Sequence, residues 1–465
     1  MTRPCTTDCF ELCDGSCALP APAYEEPRVA LYQADCVAVM RQMPEASVDA
    51  IVTDPPYLIG FMGKEFDTQH RTFVERKSNR RAGSFEAEHG NHNPTDSQDA
   101  ARTRRSENQK AQAWHFAWAH AALRVLKPGG HLLAFGGTRT HHRLACALED
   151  AGFEIRDCLM WLYGSGFPKS LDVSKAIDKA AGAERMTDPN APTVRRIRPG
   201  ADQNKSGSWE KLTDRFYTST SGEPATEEAR PWSGWGTALK PAWEPIVLAR
   251  KPFAEPNVAA NVLRWGTGAI NVEACRIPGV PETTRYDPTK HSHEGWRFNA
   301  TGADTAQRAL QTSGRWPANV VLDEEATRSL NEQSGKLTSG TGAVKRATGA
   351  GWQANAYGKE SRPAGTPNLE YGDTGGASRF FYTAKADAED RDGSRHPTVK
   401  PVDLCKWLVR LVTPPGGTVL DPFMGSGPII WAARELGFRA IGIDRERDYC
   451  ADAEKRLRQG VLPFS

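Results

Sequence analysis

The apolar positions of the chain follow a strand and helix alternation in two segments, one near each end. Residues 28–53 predict a strand, a short amphipathic helix that contains Met40, and a strand that ends at Asp54. Residues 418–457 predict a strand, a glycine-rich turn, a helix, a strand that ends in Asp444, and a helix. Alternation of this kind is typical of an α/β fold with a parallel sheet.

The pattern continues less regularly between these two segments. Residues 64–112 are polar with few apolar positions and are expected to form a mobile insertion. A helix with Trp114 and Trp118 one turn apart follows, then a Pro-Gly-Gly turn and a buried strand that ends at Gly136. A further helix and strand follow that strand.

The amino-acid composition changes from about residue 183 to residue 380, where Gly, Pro, Trp, Arg and Asn dominate and helical periodicity weakens. This stretch is predicted to be a separate, loop-rich region. The domain organisation predicted for the 465 residues has four parts. They are a cysteine-containing tail (1–27), a first α/β half (28–182), the loop-rich region (183–380) and a second α/β half (381–465).

The composition is typical of a soluble protein. A quarter of the residues are charged, no apolar run approaches the ~18 residues of a membrane span, and the first ten residues have no signal-peptide pattern. A cytoplasmic protein without membrane contact is expected. The formal net charge is only +2, so a nucleic-acid surface must come from local clusters such as "RKSNRR", "RTRR" and "VRRIRPG".

The ten cysteines are mostly scattered, which suits a reducing compartment. The exception is the N-terminal tail, where a cysteine recurs every fourth residue at Cys5, Cys9, Cys13 and Cys17. Four thiolates are able to bind zinc, but this spacing is not the paired C-x2-C of zinc ribbons. The pattern therefore favours free thiols, with a metal site as the alternative.

The segment "TDPPY" follows the first predicted block directly. The structural interpretation is an ordinary turn, because two prolines often end a strand and Asp is often the first residue of a turn. The functional interpretation starts from rigidity, since Pro55 and Pro56 fix their backbone angles and have no N–H, which leaves their carbonyls available as acceptors. With the carboxylate of Asp54 and the flat ring of Tyr57, the segment suits a planar group that carries an amine, such as a nucleobase.

The segment "LDPFMGSG" combines a strand end, glycines and a helix start. A strand, a glycine turn and a helix form a nucleotide-sized pocket, and Asp444 at the end of the next strand is suited to hold ribose hydroxyls. The segment lacks the third glycine of the dinucleotide fingerprint, and no basic residue stands here to neutralise phosphates. A ligand with a ribose and no phosphate fits best, and S-adenosylmethionine is such a ligand.

With these two motifs together, the chain resembles the amino-methylating DNA methyltransferases. The family's motifs correspond here to Asp54–Tyr57, Asp421–Gly427 and His396–Pro401. The segment around Asp35 is similar to the family's acidic cofactor-contacting motif, although Ala34 stands where Gly is usual. Pro428 stands where many relatives have Thr, which removes a possible hydroxyl contact to the cofactor.

The order of the motifs resembles that of the family's beta group, in which the catalytic motif comes first and the target-recognition region lies between the two motifs. The segments "GSGFPKS", "LKPAWEP" and "RFFYTAKA" resemble phage and prophage members. The resemblance implies a Rossmann-like methyltransferase fold with permuted motif order. It also implies that residues 183–380 recognise the target, and Arg195, Arg196 and Arg198 are candidates for contacts to double-stranded DNA.

The resemblance assigns roles to the residues of both motifs. Cofactor binding is expected for Asp35, Lys400, Asp421, Phe423, Gly425, Gly427 and Asp444. Catalysis is expected for Asp54, Pro55, Pro56 and Tyr57, by direct transfer of a methyl group to the exocyclic amine of a flipped adenine. The Pro-Cys pair of enzymes that methylate cytosine carbon is missing from both α/β segments, and the one at Pro4 lies in the tail.

Three alternatives remain open from the sequence. Cytosine-N4 methylation keeps the chemistry, but the family's cytosine members more often carry Ser in place of Asp54. A DNA-binding protein of this fold without turnover is a second alternative, which an intact Asp-Pro-Pro-Tyr motif disfavours. Methylation of a protein amide usually goes with Asn at this position and offers no role for a large recognition region.

Overall fold

The computed structural model describes residues 19–58, 94–164, 166, 170–185, 193–195, 216–218, 223–277, 314–338, 374–385 and 399–459. For 94–108, 193–195 and 216–218 the description covers the backbone alone. The chain forms two compact units, of which the smaller is Ser165–Ala242 and the larger contains the rest. This division does not coincide with the boundaries at 182/183 and 380/381 that composition suggests.

The secondary structure alternates as the two end segments predict. The strands are β1 (Tyr24–Glu26), β2 (Val29–Gln33), β3 (Val48–Thr53), β4 (Leu126–Phe135), β5 (Glu154–Leu162), β6 (Thr193–Arg195), β7 (Phe216–Thr218), β8 (Trp243–Arg250), β9 (Val320–Leu322), β10 (Leu337–Thr338), β11 (Thr374–Gly375), β12 (Tyr382–Thr383), β13 (Thr418–Asp421) and β14 (Arg439–Asp444). The helices are α1 (Cys36–Gln42), α2 (Pro94–Val125), α3 (His141–Asp150), α4 (Val173–Ala180), α5 (Val258–Trp265), α6 (Glu324–Ser334), α7 (Val402–Val412), α8 (Pro428–Glu435) and α9 (Arg447–Gln459). Short 3-10 turns lie at Arg230–Trp232, Glu273–Cys275 and Ala377–Phe380.

One sheet organises the larger unit. Within the described ranges its strand order is β1-β2-β14-β13-β3-β4-β8-β5-β9-β12. The five strands from β2 to β4 are mutually parallel, whereas β8 is antiparallel to both of its neighbours. The predicted Rossmann-like α/β fold is confirmed, and so is the permuted order, because the strand that leads to the Asp-Pro-Pro-Tyr motif precedes the glycine-turn strand in the chain.

The strands β13 and β3 are parallel, but the chain continues from them to opposite sides of the sheet. From β13 the chain passes through α8 to β14 on one side, whereas from β3 it passes through α2 to β4 on the other side. Ligands of open α/β sheets bind in the crevice outside the carboxyl ends of such a strand pair. Asp421 is the last residue of β13, and Asp54 directly follows β3, so the topology places both motifs at this crevice.

Two apolar layers cover the sheet, one on each face. Alternate residues of a strand point to opposite faces, so Ala50 and Val52 join the cluster that contains α7 and α8. Ile51, between them, joins the cluster that contains α1 and α2. Both faces of β3 are therefore buried, and the strand that positions Asp54 is held from both sides.

Part of the middle of the chain, residues 183–380, contributes strands to the sheet. Strands β8 and β9 come from this region, and β8 lies between β4 and β5. Ile246 and Ala249 of β8 are fully buried. Period-2 patterning indicates a strand but not its partners, so a strand that is inserted between two earlier strands is not visible from the sequence.

Two further expectations differ from the structure. Residues 94–112 belong to α2 rather than to an insertion without secondary structure. Their Ala, Arg and Gln are good helix formers without an apolar stripe, so periodicity misses them. The Pro-Gly-Gly stretch lies inside β4 and not in a turn before it. The register of the pairing between β3 and β4 shifts at this stretch, and Gly129 has a φ of +79°.

Asp49 joins three strands at the end of β3 that is remote from the crevice. Its carboxylate accepts from Lys127 Nζ at 2.6 Å and from the backbone N–H of Thr418 at 2.8 Å, and the residue is buried. We expect Asp49→Ala to lower the free energy of unfolding by about 1–3 kcal/mol, because two donors lose their acceptor. Urea denaturation measures this, with Asp150→Ala at an exposed helix end as the control. Equal stability of the two variants would contradict it.

The smaller unit is organised around a buried carboxylate. Asp178 of α4 accepts from the backbone N–H and the hydroxyl of Thr226, at 3.0 and 2.7 Å, and from Arg185 Nε at 2.6 Å. These hydrogen bonds outweigh the effect of burial and hold the pKa of Asp178 well below its ordinary value. These contacts join α4 to the segment that precedes the 3-10 turn at Arg230–Trp232.

Candidate active site

A hydrogen bond between two side chains joins the two sequence motifs. Thr53 Oγ1, at the end of β3, donates to Asp421 Oδ1 at 2.8 Å, and both residues are buried. The two residues are 368 positions apart in the chain. The Asp-Pro-Pro-Tyr segment and the glycine turn therefore begin at the same point of the sheet.

Asp421 has one oxygen that is satisfied and one that is not. Oδ1 also accepts from the backbone N–H of Phe423 at 3.1 Å, whereas Oδ2 is buried and has no hydrogen-bond partner among the described residues. Burial raises the pKa of Asp421 to about 8, with smaller contributions in the same direction from the charges of Asp54 and Asp444. A buried carboxyl with an unpartnered oxygen is costly in isolation, which points to a ligand group at this strand end.

The glycine turn that follows β13 requires its glycines. Gly425 and Gly427 have φ values of +51° and +78°, which side-chain-bearing residues rarely adopt. A Cβ on Gly427 would lie 2.9 Å from the Cβ of Ala453 in α9. Ser426, between the glycines, has a buried hydroxyl to which no described residue is hydrogen-bonded. The turn thus brings backbone and an unsatisfied polar atom to the crevice.

Asp444, at the end of β14, is bonded to this turn. Its Oδ2 accepts from the backbone N–H of Gly425 at 2.9 Å, and its Oδ1 accepts from the N–H of Glu446 at 2.8 Å. Burial raises the pKa of Asp444 to about 6 although both hydrogen bonds oppose this shift. Asp444 therefore supports the glycine turn and the start of α9 in addition to the ribose contact that the sequence predicts.

Asp35 and Phe423 border the same crevice. Asp35 follows β2 and caps α1, since its Oδ1 accepts from the N–H of Ala38 at 3.0 Å. The Phe423 ring packs against Trp114 and Trp118 of α2, with ring centroids 5.5 and 5.4 Å apart. The two tryptophans one turn apart in α2 therefore form the surface against which the Phe423 ring packs.

Lys400 lies with the Asp-Pro-Pro-Tyr segment and not with the glycine turn. Its buried Nζ donates to Asp54 Oδ2 at 2.7 Å and lies 3.3 Å from Glu244 Oε2 and 3.3 Å from the Tyr57 hydroxyl. Burial lowers the pKa of Lys400, but the charges of Asp54 and Glu244 outweigh burial and raise it above the ordinary range. Lys400 therefore remains an ammonium ion.

The other oxygen of Asp54, Oδ1, is buried, and none of the residues that the structure describes forms a hydrogen bond with it. The Tyr57 hydroxyl donates to Glu244 Oε2 at 2.9 Å, and the Tyr57 carbonyl accepts from Thr140 Oγ1 at 2.8 Å. Burial, followed by the charges of Asp54 and Glu244, raises the pKa of Tyr57 well above its ordinary value, so the phenol stays protonated. Asp54 is thus held in place through Oδ2, and Oδ1 is available to accept a hydrogen bond from a ligand.

Sequence reasoning missed Glu244 and Thr53. Glu244 lies in β8 within "LKPAWEP", a segment noted only for its resemblance to phage members, and nothing local indicates that it meets Tyr57. Thr53 was treated as the end of a strand. Both residues act across the sheet, so only the strand order brings them to the motif residues.

Several predicted residues lie outside the described part of the chain. These are the tail cysteines Cys5, Cys9, Cys13 and Cys17, the motif residues His396–Thr398, and Arg196 and Arg198. Arg195 is the last residue of β6, and its side chain is not described. Within the described residues no group of three or more His, Cys, Asp or Glu side chains is arranged to hold a metal ion. No helix of that part is both long and apolar enough to cross a membrane.

The sheet, the glycine turn and the paired strand-end carboxylates define a methyltransferase of the α/β class. Residues 48–455 match the sequence profile of the N6/N4 family, described as DNA methylase, and the chain belongs to this family. The predicted DNA methyltransferase activity, the DNA substrate and the cofactor S-adenosylmethionine are confirmed at the level of this family. The family covers methylation of both adenine N6 and cytosine N4.

The chain is similar to several Type II methyltransferases. It is 22% identical to M.HindIII of Haemophilus influenzae over 443 residues, which cover 92% of this chain and 94% of M.HindIII. M.HinfI of the same species is 41% identical over 78 residues, 17% of this chain and 22% of that protein. Among solved structures, the cytosine-N4-specific PvuII DNA methyltransferase superposes with a TM-score of 0.42 at 12% identity, covering 96% of this chain and 91% of the other.

Proposed function

We propose that the protein methylates the exocyclic amine of adenine, N6, in double-stranded DNA after flipping the base out of the helix. The observation that carries this proposal is the carboxylate of Asp54. One of its oxygens accepts a hydrogen bond from Lys400, and the other is buried without a partner within the described ranges of the chain. A buried acceptor of this kind at the crevice suits a substrate that brings N–H donors.

The amine of adenine is a poor nucleophile because its lone pair is delocalised into the ring. In our proposal, Asp54 Oδ1 and the carbonyl of Pro55 accept its two hydrogens, which favours a pyramidal nitrogen with a localised lone pair. Pro56 stiffens the segment, and the ring of Tyr57 stacks on the base. Bound S-adenosylmethionine would supply the methyl group to this nitrogen and leave as S-adenosylhomocysteine, and Asp54 Oδ1 would accept the proton that the methylated nitrogen loses. Alignment of the two reactants supplies roughly 7–11 kcal/mol of barrier reduction.

The residues at the crevice fit the methyl donor. S-adenosylmethionine supplies an activated methyl group on a sulfonium sulfur. The unpartnered Asp421 Oδ2 and Ser426 Oγ are polar atoms that a bound nucleoside would satisfy. We propose that Asp421, Phe423, Asp444 and the backbone of Gly425 and Gly427 hold the cofactor, with Asp35 at the edge of the crevice. Lys400 is better placed to act on Asp54 than on the cofactor.

Adenine is favoured over cytosine because Asp stands at position 54, where cytosine members of the family more often carry Ser. Contacts to the DNA sequence are proposed for residues 183–380, with Arg195, Arg196 and Arg198 as candidates for phosphate contacts. The relatives are Type II methyltransferases, and we propose that this chain likewise modifies a specific short sequence, as in restriction-modification.

Modification-sensitive sequencing tests the proposed function. DNA from cells that express the chain, compared with DNA from cells that express Asp54→Ala, should carry N6-methyladenine at one short recognition sequence. N4-methylcytosine at such a site would retain the enzyme class and overturn the base assignment. Unmodified DNA, together with no transfer of labelled methyl groups to unmodified DNA in vitro, would favour a DNA-binding protein without turnover.

Cofactor binding should depend on pH through Asp421. With a pKa of about 8 this carboxyl is mostly neutral at pH 6 and ionised above pH 8. A cationic methyl donor favours the ionised form, so binding should release a proton at pH 7 and tighten as the pH rises from 6 to 8, by up to about tenfold per pH unit. Calorimetry in buffers of different ionisation enthalpy measures the proton release.

Two comparisons isolate the contribution of Asp421 to this pH dependence. Asp421→Asn cannot ionise at this position and should show a flatter pH profile with little proton release. S-adenosylhomocysteine lacks the sulfonium charge and should bind the wild-type protein with a weaker pH dependence. An unchanged pH profile in Asp421→Asn would show that another group titrates.

A further inference from the structure

Lys400 connects three elements above the end of β4. In the sheet, β4 lies between β3 and β8. The ammonium group of Lys400 lies 4.8 Å from the ring centroid of Phe135, the last residue of β4. On one side it meets Asp54, which follows β3, and on the other side it meets Glu244 of β8. The side chain of Lys400 is only 4% exposed, so these contacts replace its hydration.

Each contact fixes one property of the segment after β3. The bond to Asp54 Oδ2 occupies that oxygen and leaves Oδ1 as the remaining acceptor. Glu244 Oε2 receives both the Tyr57 hydroxyl, at 2.9 Å, and the ammonium ion of Lys400. The carboxylate of Glu244 therefore anchors the hydroxyl end of the Tyr57 ring and also balances the positive charge of Lys400.

The charges of the group also suit the reaction. Two carboxylates and one ammonium ion leave a net charge of −1. Methyl transfer moves a positive charge from sulfur to the amine nitrogen. A fixed negative charge beside the nitrogen stabilises that charge as it develops, because a preorganised charge at a water-poor site requires no reorganisation.

We propose that Lys400 and Glu244 are positioning residues for methyl transfer. Lys400 directs the free oxygen of Asp54 to the amine, and Glu244 orients the Tyr57 ring and keeps the net charge of the group negative. This inference rests on the proposed function and assigns to it Lys400, above the end of β4, and Glu244 of the neighbouring strand β8. It predicts that the effect of Glu244 passes through Tyr57 and Lys400 and not through cofactor binding.

A double-mutant cycle on the full-length chain tests the inference. Glu244→Gln keeps the size of the side chain and an acceptor for the Tyr57 hydroxyl but removes the charge, and Tyr57→Phe removes the hydroxyl. Glu244→Gln should lower the single-turnover methylation rate by about tenfold or more while the dissociation constant of S-adenosylmethionine stays within about twofold. The two substitutions should be non-additive, because Tyr57→Phe removes the donor of the hydrogen bond whose acceptor loses its charge in Glu244→Gln.

The chain offers a matched control on the same strand pair. Glu154 of β5 pairs with Arg250 at the other end of β8, and Glu154→Gln should leave the rate unchanged. At position 400, Lys400→Arg should retain more activity than Lys400→Met, because it keeps the positive charge beside Asp54. Thermal denaturation and cofactor binding of every variant identify those that fail to fold.

The outcomes separate this inference from the proposed function. A wild-type rate in Glu244→Gln, or strict additivity with Tyr57→Phe, would overturn the positioning role while leaving the methyltransferase assignment intact. A parallel loss of melting temperature, cofactor affinity and rate in Glu244→Gln would show a structural role only and also overturns the inference. Absence of methyl transfer by the wild-type protein contradicts the proposed function and the inference with it.

Discussion

Asp54→Ala should lower the single-turnover methylation rate by roughly a hundred- to a thousandfold, the usual cost of removing one preorganised polar group from a reaction centre. The lost oxygen is the buried Oδ1, which has no hydrogen-bond partner in the part of the chain that the structure describes. Its value is greatest as the amine becomes pyramidal, so the loss should appear in the rate of transfer. Affinities for cofactor and DNA, measured on the same variant, should change little.

The surroundings of Asp54 make this substitution interpretable. Lys400 loses its contact at 2.7 Å but keeps Glu244 at 3.3 Å, so the ammonium ion is not left without a counter-charge. Asp54→Asn serves as the second variant because it keeps the shape and one oxygen while it removes the charge. Turnover of Asp54→Ala close to that of the wild type would exclude Asp54 as the acceptor for the amine.

The parts of the fold that were predictable from the sequence are those with local signals. The two strand-to-motif junctions could be predicted because a buried strand, a carboxylate and rigid or glycine-rich residues stand side by side in the chain. Their meeting at one crevice followed from the rule for parallel sheets. The hydrogen bond from Thr53 to Asp421 is the direct form of that contact.

The parts that were not predictable depend on strand order. β8 follows β5 in the chain but lies between β4 and β5, and nothing in its apolar pattern specifies those neighbours. Glu244 acquires its relevance only from that position, since β8 brings it to Tyr57 and Lys400. Lys400 itself was predicted from its motif to bind the cofactor, and its contact with Asp54 supports the positioning role that we propose for it instead.

Tyr57 should show two separable effects, because its ring and its hydroxyl contact different groups. Tyr57→Ala removes the stacking face, worth ~1–3 kcal/mol per base, so binding of DNA that carries the target base should weaken roughly ten- to a hundredfold. Tyr57→Phe keeps the ring and loses the hydrogen bond to Glu244 and the weaker one from Lys400 Nζ at 3.3 Å. We expect it to bind DNA like the wild type and to lose about tenfold in the rate of transfer, the order of one hydrogen bond to a charged group.

Equilibrium binding and single-turnover methylation on the same DNA duplex distinguish the two effects of Tyr57. DNA in which the target adenine is replaced by an abasic site provides the control, because no base is present for stacking. On that duplex Tyr57→Ala and the wild type should bind equally. If Phe at position 57 weakens DNA binding as much as Ala, the site depends on the hydroxyl rather than on the ring. If Ala binds the intact duplex as tightly as the wild type, the flipped base is held by other residues.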